Sequence, residues 1–225
     1  MTRVLRIRWA PGRTVDALLA VPADPVPPAV LLAHGAGAGQ RSPFMEHMRR
    51  GLAAAGHMAM TFDYPYTAEG RGRPDRLSVL VGAHGAARDR LAGYGAPVAL
   101  AGKSMGGRVG SHLAAEDGAG VAALVYYGYP LVPMGKGEPR DTSHLERISA
   151  PQLFFTGTRD RLSPPGPVTR LAAGLAAATA VVVDDADHSF RVPKRAGRDH
   201  GDVLDDLVRQ TVAWLSQSAV GEGGT

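Results

Sequence analysis

Gly102-Lys103-Ser104-Met105-Gly106 sets a serine between two glycines in a G-x-S-x-G pattern, after the apolar run Val98-Ala99-Leu100-Ala101 and before a helical segment. A serine forced onto a sharp strand-to-helix turn has a strained backbone. The chain there passes so close to itself that the positions two before and two after must lack side chains. Gly102 and Gly106 meet that demand. Such a turn lifts the hydroxyl above the carboxyl ends of the strands and points the Met105 amide into the same space, at a helix N-terminus that favours negative charge. The chemistry is nucleophilic attack on a carbonyl. With no cysteine in the chain, any covalent catalysis has to use a nucleophile other than a thiolate.

A serine hydroxyl is a poor nucleophile until a base takes its proton. His188 follows Val181-Val182-Val183 in the loop Asp184-Asp185-Ala186-Asp187-His188-Ser189-Phe190, the carboxyl edge where that base belongs. Among the other histidines, His47, His84 and His112 fall in helical segments, His57 opens a strand, and His144 and His200 stand in polar segments; these read as structural or solvated. The orienting acid is expected between serine and histidine in chain order. Asp160 follows the run Leu153-Phe154-Phe155-Thr156, 56 residues after Ser104 and 28 before His188, room in each case for a strand and a helix. Asp184, Asp185 and Asp187 are so close to His188 in sequence that they read as shaping its loop. The Met105 amide would be one oxyanion donor. His34-Gly35-Ala36-Gly37, after the run Val30-Leu31-Leu32-Ala33, places an amide near Ala36 as the second.

Two overlapping patterns fail. A phosphate-binding P-loop ending in Gly102-Lys103-Ser104 needs glycine at position 97, which is Pro97, and the third glycine of a dinucleotide fingerprint beginning at Gly35 falls on Gln40.

The elements that must position these residues read as an α/β succession. Val4–Trp9 and Thr14–Val21 flank the turn Pro11-Gly12 as an antiparallel hairpin. Strands follow at Ala29–Ala33, His57–Phe62, Val98–Ala101, Val121–Tyr126, Leu153–Phe155 and Ala180–Val183. Helices are predicted from Ser42, as N-cap, to a Gly56 close, and over 75–91, 104–115, 171–178 and 203–215. Unalternating apolar strands separated by helices imply a mostly parallel sheet covered on both faces. The 225 residues fit one domain over 1–217, with a frayed glycine-rich tail over 218–225.

Composition narrows the class further. Hydrophobic residues at 44% and charged residues at 20% exclude disorder, collagen and coiled coil. No apolar run approaches a membrane span, and the first eight residues alternate charge with apolar side chains, so a cytoplasmic location is expected, with no membrane partner. A net charge of +4 spread along the chain does not describe a nucleic-acid footprint.

Taken together, Ala33-His34-Gly35-Ala36-Gly37, Phe62-Asp63-Tyr64-Pro65-Tyr66, Gly102-Lys103-Ser104-Met105-Gly106-Gly107-Arg108, Gly157-Thr158-Arg159-Asp160 and Ala186-Asp187-His188-Ser189-Phe190 resemble the α/β-hydrolases over nearly the whole chain. The resemblance is narrowest to the small lidless branch similar to dienelactone hydrolases, and to a group of hydrolase domains some of whose eukaryotic members are subunits of chromatin complexes. It implies an eight-stranded, mostly parallel sheet with helices on both faces and no lid domain. It also implies hydrolysis of a small carboxylic ester or thioester through an acyl-serine on Ser104, His188 and Asp160, with no cofactor and no metal. The dienelactone hydrolases themselves use cysteine, which sets this chain apart from their substrate. The competing functions are a catalytically silent binding or scaffold protein and an acyltransferase. A monomer or homodimer is expected.

About 25 residues separate the strand ending near Tyr127 from the one beginning near Gln152, too few for a helical cap. An open site favours short acyl groups, with Tyr129 on one wall. Lys103 beside the serine, Arg108 one helical turn on, and Arg71, Arg73 and Arg76 in the loop after Phe62-Asp63 gather cations around the expected mouth, with Lys103, Arg71 and Arg73 the candidate substrate contacts. An anionic ester is accordingly the expected substrate.

Overall fold

The computed structural model describes residues 2–133, 135 and 137–220. Its frame is one eight-stranded sheet: β1 (Thr2–Ala10), β2 (Arg13–Ala20), β3 (Val26–Ala33), β4 (His57–Phe62), β5 (Val98–Lys103), β6 (Val121–Tyr127), β7 (Gln152–Gly157) and β8 (Ala178–Val183). They lie in the spatial order β1-β2-β4-β3-β5-β6-β7-β8. β1 and β2 pair antiparallel, as do β2 and β4, and every other neighbouring pair is parallel. All six residues of β4 and of β7 are buried, which is why these strands carry no polar alternation.

Helices α1 (Pro43–Ala54) and α6 (His200–Val220) cover one face, packing Met45, Met48, Leu52, Val203, Leu204, Leu207 and Leu215 against Val30, Leu32, Val125 and Phe155. On the other face, α3 (Leu77–Ala92), α4 (Met105–Glu116) and α5 (Pro165–Ala173) pack Leu80, Ala87, Val109, Leu113 and Val168 against Leu31, Leu100, Leu124 and Phe154. A one-turn helix, α2 (Pro65–Ala68), follows β4. Between β6 and β7 the described residues hold only turns and the 3₁₀ segment Ser143–Arg147, so no lid is inserted there.

Chain order fixes where a site can form. From β3 the chain moves to β4 on one side, and then returns to place β5 on the other. Connections leaving β3 and β5 therefore diverge to opposite faces and leave a crevice at their carboxyl ends. Ala33 pairs with Gly102 there, so the loops carrying Ala36 and Ser104 leave the sheet side by side.

Three sequence expectations shift. The helix predicted over 171–178 instead occupies Pro165–Ala173: Pro165 starts it, Gly174 ends it, and Ala178 already belongs to β8. Ser42 holds the N-cap position of α1 without a side-chain cap, and its carbonyl accepts from Glu46 N–H at 3.0 Å. The tail predicted from Ser218 is helical through Val220, and residues 221–225 lie outside the described residues.

Candidate active site

Ser104 stands between β5 and α4 with φ 50° and ψ −113°, a left-handed backbone that a serine adopts only under constraint from its surroundings. The constraint is visible at the flanking glycines. A Cβ on Gly102 would overlap the backbone of Gly106 and Gly107, and one on Gly106 would overlap Ala33 and His34. Neither collision can be relieved by turning a side chain, because the obstructing atoms are backbone. Ser104 N–H donates to Tyr127 O at 3.0 Å, tying the elbow to the end of β6.

Asp160 and His188 arrive from the next two strand ends, which are aligned by the pairing of Gly157 with Val183. The two loops touch at Gly157, where a Cβ would collide with Ala186 O. His188 Nδ1 lies 2.7 Å from Asp160 Oδ2, and His188 Nε2 lies 2.9 Å from Ser104 Oγ. Asp160 Oδ1 accepts the amides of Leu162 at 2.9 Å and Ser163 at 2.8 Å. Burial alone would raise the Asp160 carboxyl. The His188 hydrogen bond and charge, with the two amides, outweigh it and hold the group below the ordinary carboxylate value. An ionised carboxylate only accepts, so Nδ1 carries the histidine proton and Nε2 is left to accept from the serine hydroxyl. Asp187 instead shapes the loop, its Oδ1 accepting Ser189 N–H at 2.8 Å and Arg191 N–H at 2.9 Å.

On the β3 side, the chain at Gly35 passes close to the elbow, with a Cβ there meeting Lys103 O at 3.4 Å and Ser104 Cβ at 3.6 Å. Ala36 follows in the exposed part of that turn, and Met105 opens α4, where the first amides have no intrahelical acceptor. The turn is braced from beneath. His34 is fully buried; its Nε2 accepts Tyr64 N–H at 3.1 Å, so its Nδ1–H donates to Gly35 O at 2.8 Å. Asp63 accepts from Gln40 N–H at 2.8 Å and Gln40 Nε2 at 2.9 Å. Sequence reasoning noted His34 and Asp63 only as parts of patterns. Their position at the ends of β3 and β4 is the signal that they join those two loops.

Ser104 and His188 open into a cleft of about 360 Å³. Pro43, Phe44 and Met45 form an apolar wall from the start of α1. Lys103 and Arg191 supply the cations, His200 adds a ring whose Nδ1 lies 3.1 Å from Phe190 O, and among the described residues no carboxylate lines the cleft. Lys103 Nζ lies 5.6 Å from the Phe190 ring centre, and burial, partly offset by Asp160 and Asp187, lowers its pKa to about 8. Phe190, at φ 59°, stacks on Phe44.

Three expected substrate contacts fall elsewhere. Arg71 is exposed and donates to Glu69 and Asp75, each at 2.8 Å, while Glu69 also receives Arg13 at 2.6 Å. Helix α2 has carried this loop back beside the β1–β2 turn, and neither Arg71 nor the exposed Arg73 lines the cleft. Tyr129 is 1% exposed and packs edge-on to Tyr126 and Phe154. The left-handed turn at Gly128, φ 71°, sends it into the opposite core from Tyr127. Sequence reasoning missed Arg191 and His200 in the cleft. Their signal was proximity to His188 in a loop that must run from the last strand to the last helix.

Residues 27–216 match the family model described as an alpha/beta hydrolase domain, and the chain belongs to that family. Solved structures agree on the fold. An alpha-beta serine hydrolase homologue from Coxiella burnetii is 18% identical with a TM-score of 0.74, over 93% of this chain and 96% of that one. A dienelactone hydrolase from Anabaena variabilis is 22% identical with a TM-score of 0.76, over 96% and 97%. A serine hydrolase without a lid from Xanthomonas campestris is 15% identical with a TM-score of 0.68, over 100% and 96%. No curated protein matches the chain. Among the described residues, no helix is long and apolar enough to cross a membrane.

Proposed function

We propose that this chain is a serine hydrolase cleaving small carboxylic esters or thioesters through an acyl-serine on Ser104. The observation that carries the reading is the continuous relay from Asp160 Oδ2 through His188 to Ser104 Oγ, at 2.7 and 2.9 Å. Ser104 Oγ attacks the carbonyl carbon as its proton passes to His188 Nε2, and the imidazolium forms facing the Asp160 carboxylate. The carbonyl oxygen becomes an oxyanion held by the amides of Met105 and Ala36, each worth about 3 kcal/mol of barrier. His188 returns the proton to the departing alcohol or thiol. Water, activated by the same histidine, then adds to the acyl-serine and releases the acid.

The cleft supports two narrower statements about substrate. Its volume and single apolar wall suit a short acyl group. Its cations, Lys103 and Arg191, with no lining carboxylate among the described residues, suit an ester carrying its own negative charge. Arg191 thereby takes the place expected of Arg71 and Arg73. Turnover of acetyl and butyryl esters, slower turnover of long-chain esters, and loss of all turnover in Ser104→Ala test the reading. Ester hydrolysis that survives Ser104→Ala would refute it.

A further inference from the structure

A second concavity shares no lining residue with the cleft. One and two turns past Ser104, α4 presents Arg108 and His112; the 3₁₀ segment Ser143–Arg147 presents Ser143, His144 and Arg147; the chain before it adds Arg140 and Asp141. They surround about 470 Å³. Three guanidinium groups thus face one carboxylate. None of the three lies within ion-pair distance of a carboxylate among the described residues. Asp141 is already engaged, accepting from Ser143 N–H at 2.9 Å and Ser143 Oγ at 3.1 Å.

The wall is ordered from behind. Arg140 Nε donates to Pro130 O at 3.0 Å. Ser111 Oγ donates to Arg108 O at 2.7 Å, and so accepts from His144 Nε2–H at 2.9 Å. The His112 and His144 rings stack with centres 3.8 Å apart and planes 9° from parallel. Two buried nitrogens, Arg108 Nε and His112 Nε2, have no hydrogen-bond partner among the described residues. Burial, then the neighbouring His112, Arg108 and Arg147 against the single pull of Asp141, lowers His144 to about 4. Cationic groups held together with unused hydrogen-bonding capacity and only one carboxylate among them mark a place for an anion.

We propose that this pocket binds the terminal phosphate of a phosphate monoester, at a site separate from the Ser104 cleft. Three guanidiniums less the Asp141 charge leave two positive charges, which a phosphate dianion neutralises and a single carboxylate does not. Three planar forks arriving from different chain segments also suit a tetrahedral group with several acceptor oxygens. The same phosphate is available on a soluble metabolite or a lipid headgroup, and the pocket reads only the phosphate. The proposal does not depend on the hydrolase reading.

Calorimetric titration of the full chain with glycerol 3-phosphate, and sedimentation with phosphatidylcholine vesicles carrying phosphatidic acid, separate the two sources. In whichever arm binds, affinity is expected to fall about tenfold or more in the double variant Arg140→Gln/Arg147→Gln and to hold in Arg191→Ala. The His144 ring protons, followed by NMR, are expected to titrate at higher pH with the phosphate bound, because the anion stabilises the imidazolium. The inference is overturned if neither arm binds, or if binding survives the double variant. It is also overturned if binding disappears in Arg191→Ala, which would move the phosphate into the cleft.

Discussion

Asp160 and His188 fix each other's protonation. Two backbone amides occupy Asp160 Oδ1, so Oδ2 is the oxygen left to face His188 Nδ1, at 2.7 Å. Asp160→Asn keeps the shape but presents an amide NH₂ to Nδ1. The proton then moves to Nε2, which can no longer accept from Ser104. Turnover is expected to fall on the order of 10⁴-fold with the fold intact by circular dichroism. Asp187→Asn, which touches only loop amides, is expected to fall far less.

The same carboxylate sets an acid limit. Its folded pKa lies below the ordinary 3.8, so its contribution to stability is present above that value and is lost as pH falls through the folded one. Urea unfolding of the wild type and Asp160→Asn should therefore converge below about pH 3.8.

Much of this geometry was legible in the sequence. Gly102 and Gly106 announce a close backbone crossing because no other residue type survives it, and Ser104, Asp160 and His188 each follow an apolar strand. The strand succession was readable because buried parallel strands lack alternation. What the sequence did not carry was the direction of the loops. Arg71 is diverted by the turn of helix at Pro65, Tyr129 by the left-handed Gly128, and Arg191 and His200 reach the cleft from the β8–α6 loop and the first residue of α6, whose placement depends on α6 packing across the sheet.

Gly128 lies against the relay. A Cβ there would sit 3.2 Å from Asp160 Oδ2 and from His188 Nδ1, on a backbone at φ 71°. Gly128→Ala is expected to cost about 1–2 kcal/mol of stability from the left-handed backbone and to lower kcat at least tenfold by displacing His188. Unfolding midpoints and steady-state kinetics on one ester check both.

Lys103 carries a cost that pH reveals. Burial lowers its pKa from 10.5 to about 8, so between those values the unfolded chain binds more protons and stability rises with pH. Below about pH 8 the penalty is complete. Lys103→Met is expected to be more stable than the wild type at pH 7 by about 2 kcal/mol, with the gap closing towards pH 10.5. Denaturant titrations at three pH values follow it.

Anion selectivity divides the arginines. A monoester of a dicarboxylic acid should exceed its neutral methyl ester in kcat/KM, and high salt should reduce the preference. Arg191→Ala is expected to remove about tenfold of it, and Arg71→Ala to leave it unchanged. Equal effects of the two variants would place the anion elsewhere.

The acyl-serine mechanism is tested most directly by reaction with a fluorophosphonate, intact mass measurement and peptide mapping. The expected result is one adduct per chain, located on Ser104, absent in Ser104→Ala and formed far more slowly in His188→Ala. A wild-type chain that stays unlabelled, or an adduct on any other residue, would contradict it.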